Sequence, residues 1–598
     1  MKKKNIPFLK VLKNNLLILK ICFKECPWHL TYFAFMNIVS EIVMFFEWVF
    51  GIKYVLESVE FNYPLSRPVT FLCIMLVVHT INALLGGFCW HNIWQKAQKR
   101  MQKAIKTILY EKARTLDLEC YDNPEYYDKY VLTINEANNM INRATQLLQM
   151  AVMSVTNIVL YGGFYLSEDK ISVLFVLVSF VLTYVFSIIS NKVDFSKRME
   201  CNPIERRREY IHRVHYLSDY AKELRLNPEY TEVLNGSFVK VNNELENINR
   251  KYGKKKFVFE FLKSYISSEF IIEVLFLIYL VYRAAVMKAI SYSEVVVLFN
   301  SAQRLKNSFK RIAELFPYAQ ETSLYVDKMN EFLAYSPNIT GGVMQIDNDE
   351  HTLKLDNVGF SYNNTDYVLN GINLEIKPKD KIAVVGYNGA GKTTLVKLLL
   401  RLYDATDGTI FLDGKNITDY KLNDYRNLFG TAFQDFKIFA CSLRENVTLS
   451  TDKADDSEVT NVLESAGMAS KLSALKDGLD TQLTTEFSDD GVNLSGGEAQ
   501  KTAIARAFYR KAPIIILDEP SAALDPISEY EFNNSVLKEG KDKTVVFISH
   551  RLSTTRNADK IIMLENGQII EYGSHSELLK QDGKYAQMWR VQAGQYTS

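Results

Sequence analysis

Ile382-Ala383-Val384-Val385 runs directly into Gly386-Tyr387-Asn388-Gly389-Ala390-Gly391-Lys392-Thr393-Thr394. The first four residues read as a buried strand and residues 394–402 as a helix, so the glycines between them sit at a strand-to-helix turn. This is the pattern G-x-x-x-x-G-K-[ST] in the context it requires. Its glycines let backbone N–H groups wrap phosphates at a helix N-terminus, Lys392 reaches the β and γ phosphates, and the Thr393 hydroxyl ligates magnesium. A second apolar run, residues 514–517, ends in Asp518-Glu519. An uninterrupted apolar run is what a parallel strand buried on both faces requires. Asp518 is placed to hold Mg²⁺, and Glu519 to polarise the water that attacks the γ-phosphate. Two acids that merely cap a turn would have no reason to close an apolar strand in a chain that already carries a phosphate loop.

Further motifs flank this core in a fixed order. Phe360-Ser361-Tyr362 precedes the loop, and Gln434 follows it. Leu494-Ser495-Gly496-Gly497-Glu498 lies just before the second strand, residues 521–525 follow that strand, and His550 closes the apolar run 544–549. Each is weak alone, and together they resemble the ATP-binding cassette (ABC) transporter family. The resemblance implies that Tyr362 stacks on adenine, that Gln434 lies near magnesium and the membrane-domain interface, and that residues 521–525 form the D-loop. It also implies that His550 orients water and the γ-phosphate. The nucleotide-contacting set is then Tyr362, the loop Gly386 to Thr394, Asp518, and the signature residues Ser495, Gly496, Gly497 and Glu498, with Thr393, Gln434 and Asp518 around the metal. By the same resemblance two cassettes pack head to tail, and the signature of one completes the ATP site of the other. Glu519, His550 and Gln434 are the expected catalytic residues. Glu498 stands where the family usually has glutamine and is expected to add an acid near the partner's nucleotide. Asp489-Asp490 departs from the usual approach to the signature.

The remainder of the chain has a different character. With 598 residues, 47% apolar and 23% charged, several folded domains are expected and disorder is excluded. Seventy basic against 69 acidic residues leave a net charge of +1, which excludes a polybasic nucleic-acid binder. The seven cysteines contain no C-x-x-C pair, against a disulfide scaffold or structural zinc site. Apolar spans are expected at about residues 28–50, 69–94, 147–166, 171–190, 257–282 and 293–316, since ~20 apolar residues cross a hydrocarbon core of ~30 Å. The sixth is the weakest, because Gln303, Arg304 and Lys306 interrupt it. Seven lysines precede the first span, among them Lys2, Lys3, Lys4 and Lys10, and the positive-inside rule places that end in the cytoplasm. The long polar connections 95–146 and 191–256 read as helical hairpins carried into the cytosol. Residues 116–130 and 219–226 resemble the family's two coupling helices. No cysteine-protease segment is expected ahead of the first span.

The expected fold is an N-terminal six-helix transmembrane domain with long cytoplasmic helical extensions over residues 1–334. A linker over 335–350 and a C-terminal α/β P-loop ATPase cassette with a helical subdomain over 351–598 complete it. The expected function is an ATP-driven export half-transporter of the bacterial plasma membrane, with the N-terminus and cassette cytoplasmic. It would bind ATP and Mg²⁺ and pair with a second half-transporter as a homodimer or heterodimer. It would move a peptide, lipid or amphipathic drug through the bilayer and bind no nucleic acid. A nucleotide-gated regulatory membrane protein without transport is the alternative. Glu269 and Glu273, one helical turn apart on one face with Tyr265, would favour cationic or amphipathic cargo if that face lines the translocation cavity; the preferred reading is acids near a hydrated helix end or facing a wet cavity, with no role in selection.

Overall fold

A computed structural model describes residues 7–346, 350–363, 365–452, 454–520, 526–549 and 555–594. The chain divides into two compact units. One comprises residues 1–115 and 125–335, and the other residues 116–124 and 336–598.

The first unit is helical throughout. In order it contains α1 (Phe8–Glu25), α2 (Pro27–Glu60), α3 (Ser66–Ala113), α4 (Glu119–Asp122, which belongs to the second unit), α5 (Pro124–Glu168), α6 (Lys170–Tyr216), α7 (Ser218–Leu226), α8 (Pro228–Ala285) and α9 (Tyr292–Leu333). Five helices among the described residues are long and apolar enough to cross a membrane. They lie in α2, α3, α5, α6 and α8. The helix over the sixth expected span, α9, is continuous for 42 residues but does not reach that apolarity. Leu72, Leu76 and Leu84 of α3 stay exposed on the single chain, as an apolar surround would require.

Short turns join the helices at one end. Asp169 caps α6 by accepting from the Ile171 N–H at 3.2 Å and pairs with Arg283 at 2.9 Å, tying the α5–α6 turn to the end of α8. Ser291 and Glu294 form a capping box on α9, and Lys53 of α2 pairs with Glu294 at 3.2 Å. Tyr161, Tyr165, Phe276, Leu280 and Leu298 fill the core between these helices. Residues Leu262–Phe276 of α8 adopt a π-helical winding, a rare feature concentrated at functional sites.

The second unit holds two sheets. An antiparallel sheet is ordered β2-β1-β4-β5, from β1 (Leu353–Ser361), β2 (Tyr367–Ile376), β4 (Asp407–Leu412) and β5 (Lys415–Asn416). The larger sheet is ordered β10-β9-β3-β8-β7-β6, with β3 (Lys381–Gly386), β6 (Phe429–Ala432), β7 (Ile514–Asp518), β8 (Thr544–Ile548), β9 (Lys560–Glu565) and β10 (Gln568–Gly573). Strands β6, β7, β8, β3 and β9 pair in parallel, and only β10 is antiparallel. All five residues of β7 are buried, as its apolar run required. The phosphate loop leaves the end of β3, and Asp518 ends β7 one strand beyond β8, so the two motifs open at the same edge of the sheet. Residues 338–346 lie against this unit rather than apart from it: the Gly342 N–H donates to the Tyr420 carbonyl at 2.8 Å, and Arg401 donates to the Thr340 carbonyl at 2.7 Å.

Candidate active site

Gly391 is the N-cap of the helix Lys392–Leu399 at φ 101°, and a Cβ there would stand 2.6 Å from Leu369. Gly386, at the end of β3, would press a Cβ to 2.3 Å from the Leu564 carbonyl. Both positions demand glycine, which explains the motif's spacing in local steric terms. Lys392 is folded inward. Its Nζ donates to the Gly386 carbonyl at 2.9 Å and the Tyr387 carbonyl at 3.0 Å, so the ammonium occupies the mouth of its own loop. Burial draws its pKa down, against the opposing pull of Glu519 and Asp518.

The Thr393 hydroxyl donates to Asp518 Oδ2 at 3.2 Å. Asp518 is buried, and its other oxygen, Oδ1, has no hydrogen-bond partner among the described residues. Burial pushes this carboxyl up to about 6, with Glu519 adding to the rise and Thr393 and Lys392 opposing it. A buried carboxylate with an orphaned oxygen beside a threonine hydroxyl is the donor set a hard divalent cation uses. Mg²⁺ therefore fits these residues.

Glu519 follows the strand with φ 51°, a left-handed conformation that a non-glycine residue adopts only when its surroundings impose it. Among the described residues, three bonds contribute to this. Its N–H donates to the Ile548 carbonyl at 3.1 Å, its carbonyl accepts from Gln500 Nε2 at 3.0 Å, and its carboxylate accepts from Gln434 Nε2 at 2.8 Å. Gln434 and Glu519 are thus brought together from the ends of β6 and β7. Gln500 was not among the residues expected from sequence; its only signal is a buried amide on an otherwise apolar helix face.

Tyr362 lies beside the loop, with its hydroxyl 3.3 Å from that of Thr394. Its ring is half exposed, backed edge-on by Phe360 at 4.8 Å and Tyr403 at 5.3 Å, with Lys397 5.5 Å from its centroid. Asn388, Gly389 and Ala390 complete the loop between β3 and its helix.

Ser495 caps the 14-residue helix Gly496–Tyr509. Its hydroxyl accepts from the Glu498 N–H at 3.3 Å, and Glu498 accepts in return from the Ser495 N–H at 2.8 Å. Lys471 pairs with the same carboxylate at 3.2 Å. Glu498 is therefore held against its own helix, where burial is outweighed by these partners and the pKa is drawn down. Space is open around a Cβ built on Gly496. His550 and residues 521–525 lie outside the described residues.

Comparison with known proteins adds three findings. Residues 369–522 match the family model described as ABC transporter. A Bacillus subtilis protein provisionally named multidrug export ATP-binding/permease protein YgaD is 34% identical over 302 residues, 50% of this chain and 49% of that protein. A similarly named Staphylococcus aureus protein is 38% identical over 252 residues, 42% of this chain and 43% of its own length. The chain spans about half the length of these curated relatives. In fold it is similar to the solved structure of a bacterial Atm1-family ABC exporter with ATP bound, at TM-score 0.72 and 20% identity, covering 94% of this chain and 98% of that one.

Proposed function

From a chain that carries an ABC transporter cassette behind a helical domain, in the fold of an ABC exporter, we propose that it is a half-transporter driving export with ATP. The observation that carries this reading is the convergence of Lys392, Thr393, Asp518, Glu519 and Gln434 at the open edge of one parallel sheet. Lys392 would exchange the two carbonyls it now holds for β and γ phosphate oxygens. Thr393 and Asp518, with Gln434 nearby, would hold Mg²⁺, which supplies charge neutralisation at the transferred phosphate. Tyr362 offers its exposed face to the base, and Glu519 accepts the proton of the attacking water. By the family resemblance, His550 orients that water.

The domain assignment follows the sequence. Residues 1–334 are assigned to the membrane domain, 335–350 to the connection and 351–598 to the cassette, with 116–124 and 336–350 belonging to the cassette's compact unit. In this reading α9 is the sixth span: its polar side chains are tolerated where they face protein or a wet cavity rather than lipid. A second half-transporter, identical or not, brings Ser495, Gly496 and Gly497 to the γ-phosphate across the cassette interface. The protein sits in the bacterial plasma membrane with its N-terminus and cassette cytoplasmic, and its cargo is amphipathic. The relatives' multidrug export names support this reading.

The test is Mg-ATP hydrolysis by the full chain in lipid nanodiscs beside Glu519→Gln. Loss of a general base lowers turnover about 10²–10⁴-fold while ATP binding persists. Equal turnover in the two proteins would remove Glu519 from the reaction and the proposal with it.

A further inference from the structure

The helical unit contains a small polar cavity between α6, the π-wound stretch of α8 and α9, about 110 Å³ in volume and open on one side. Its charged lining consists of Lys263, Lys306, Lys310 and a single carboxylate, Glu269. Ser264 and Asn307 add hydrogen-bond donors, and Phe180 and Phe309, 4.5 Å apart between ring centroids, form an apolar end.

The lysines are poorly neutralised. Lys306 is 12% exposed and reaches Glu269 at 3.4 Å and Glu273 at 3.5 Å. Lys263 is 13% exposed and lies 3.6 Å from Glu260. These separations exceed those of strong charge-assisted hydrogen bonds, which are ~2.7–2.9 Å. Lys310, one turn from Lys306 on α9, has no ion-pair partner among the described residues. Lys310 is exposed, whereas Lys263 and Lys306 are mostly enclosed, and enclosed ammonium groups held this loosely are costly in a membrane unless something else completes them. The π winding is a second sign, because it gives up regular helical geometry along the stretch that lines the cavity.

We propose that this cavity binds an amphipathic anion, its phosphate, sulfonate or carboxylate head on Lys306 and Lys310 and its apolar body against Phe180 and Phe309. The carboxylate pair Glu269–Glu273 then serves to hold Lys306 in place. A cationic cargo would instead meet three ammonium groups. Describing the ligand as cargo rests on the exporter reading; the binding chemistry does not.

The experiment is equilibrium binding of radiolabelled dodecyl phosphate, against dodecyltrimethylammonium, to the full chain in phosphatidylcholine nanodiscs without nucleotide. Because no hydrolysis or transport is involved, failure here is distinct from failure of the exporter reading. Dodecyl phosphate is expected to bind saturably, and Lys310→Gln, which disturbs no ion pair, to weaken it about tenfold, the worth of one charge-assisted bond. Lys306→Gln should weaken it further, while Glu269→Gln should not. Doping the discs with phosphatidylglycerol separates the sources: displacement identifies a bilayer lipid head, and persistence a soluble anion. Saturable binding of the ammonium probe alone, or wild-type affinity for dodecyl phosphate in both lysine variants, would overturn the proposal.

Discussion

The hydroxyl of Tyr403 donates to the carboxylate of Asp122, while its ring meets that of Tyr362 edge-on at 5.3 Å and 87°. One side chain therefore touches both the candidate base-stacking tyrosine and the short helix α4. Lys397 lies 5.5 Å from both tyrosine rings. The segment around α4 is further held by Leu118, packed on the cassette core, and by Asp117, which accepts from the Asn338 N–H at 2.6 Å. Burial and Asp122 push the Tyr403 phenol well up, so it remains a donor at any physiological pH.

Tyr403→Phe keeps the ring and removes one bond to a charged acceptor, worth about 1.5–3 kcal/mol. Nucleotide affinity is expected to hold, since the backing of Tyr362 is unchanged. Amide hydrogen exchange over residues 117–123 should accelerate in the variant, and this segment should no longer respond to nucleotide as the wild type does. Unchanged exchange there would show that Leu118 and Asp117 suffice to dock it.

Asp518 gives a pH prediction with a definite sign. Its carboxyl titrates near 6 in the folded chain against an ordinary 3.8, so between those values the native state holds a proton that the unfolded state has released. Stability attributable to this group falls as pH rises through that window. Asp518→Asn removes the penalty and should stabilise the nucleotide-free cassette at pH 7 by about 2 kcal/mol, after discounting for residual solvent. The gain should vanish near pH 4, where both side chains are neutral. Calorimetric melting at the two pH values, without Mg²⁺, checks this. The same variant should lose Mg²⁺-dependent ATP binding, so a more stable protein that binds worse is the expected signature.

Glu498→Gln should leave hydrolysis unchanged, because a glutamine oxygen can still accept from the Ser495 N–H, and should lower the melting temperature only slightly through loss of the Lys471 ion pair. Ser495→Ala removes the reciprocal cap and should cost about 1 kcal/mol of local helix stability. A large change in turnover in Glu498→Gln would instead mean that its charge acts beyond its own helix.

The cassette was the more legible half of the sequence. The loop glycines, Lys392 and the Asp518-Glu519 pair are dictated by local sterics and by chemistry at a strand end, and such constraints are written in short contiguous motifs. Residues that act through tertiary packing left no such trace. Tyr403 reads as one aromatic in a turn, and its two partners lie 41 and 281 positions away. The capping box of Ser495 and Glu498 was likewise not legible in the signature, whose resemblance draws attention to the nucleotide instead. In the helical half, period and apolarity exposed five candidate spans. They could not show that Lys306 stands beside Glu269 and Glu273, because that pairing is made between separate helices.

Gln500 offers the sharpest test of how the site is held. Its amide donates to the carbonyl of Glu519, the residue at φ 51°, and so connects the helix that begins at Ser495 to the candidate general base. A left-handed non-glycine conformation costs on the order of 1–3 kcal/mol and persists only while its surroundings enforce it. Gln500→Leu keeps the size and buries no new polar group on the helix, but leaves the Glu519 carbonyl without this donor. Glu519 then has one restraint fewer, and its carboxylate is less firmly placed against Gln434. The expected result is a fall in kcat of about tenfold, equivalent to ~1.4 kcal/mol of lost positioning, with KM for ATP nearly unchanged because Lys392 and Tyr362 are not involved. Gln500→Glu, protonated at low pH, should recover part of the loss as pH falls, since only the protonated form can donate. A rise in KM without a change in kcat would place Gln500 in nucleotide binding, and equal kcat in all three proteins would show that the Ile548 and Gln434 bonds fix Glu519 by themselves.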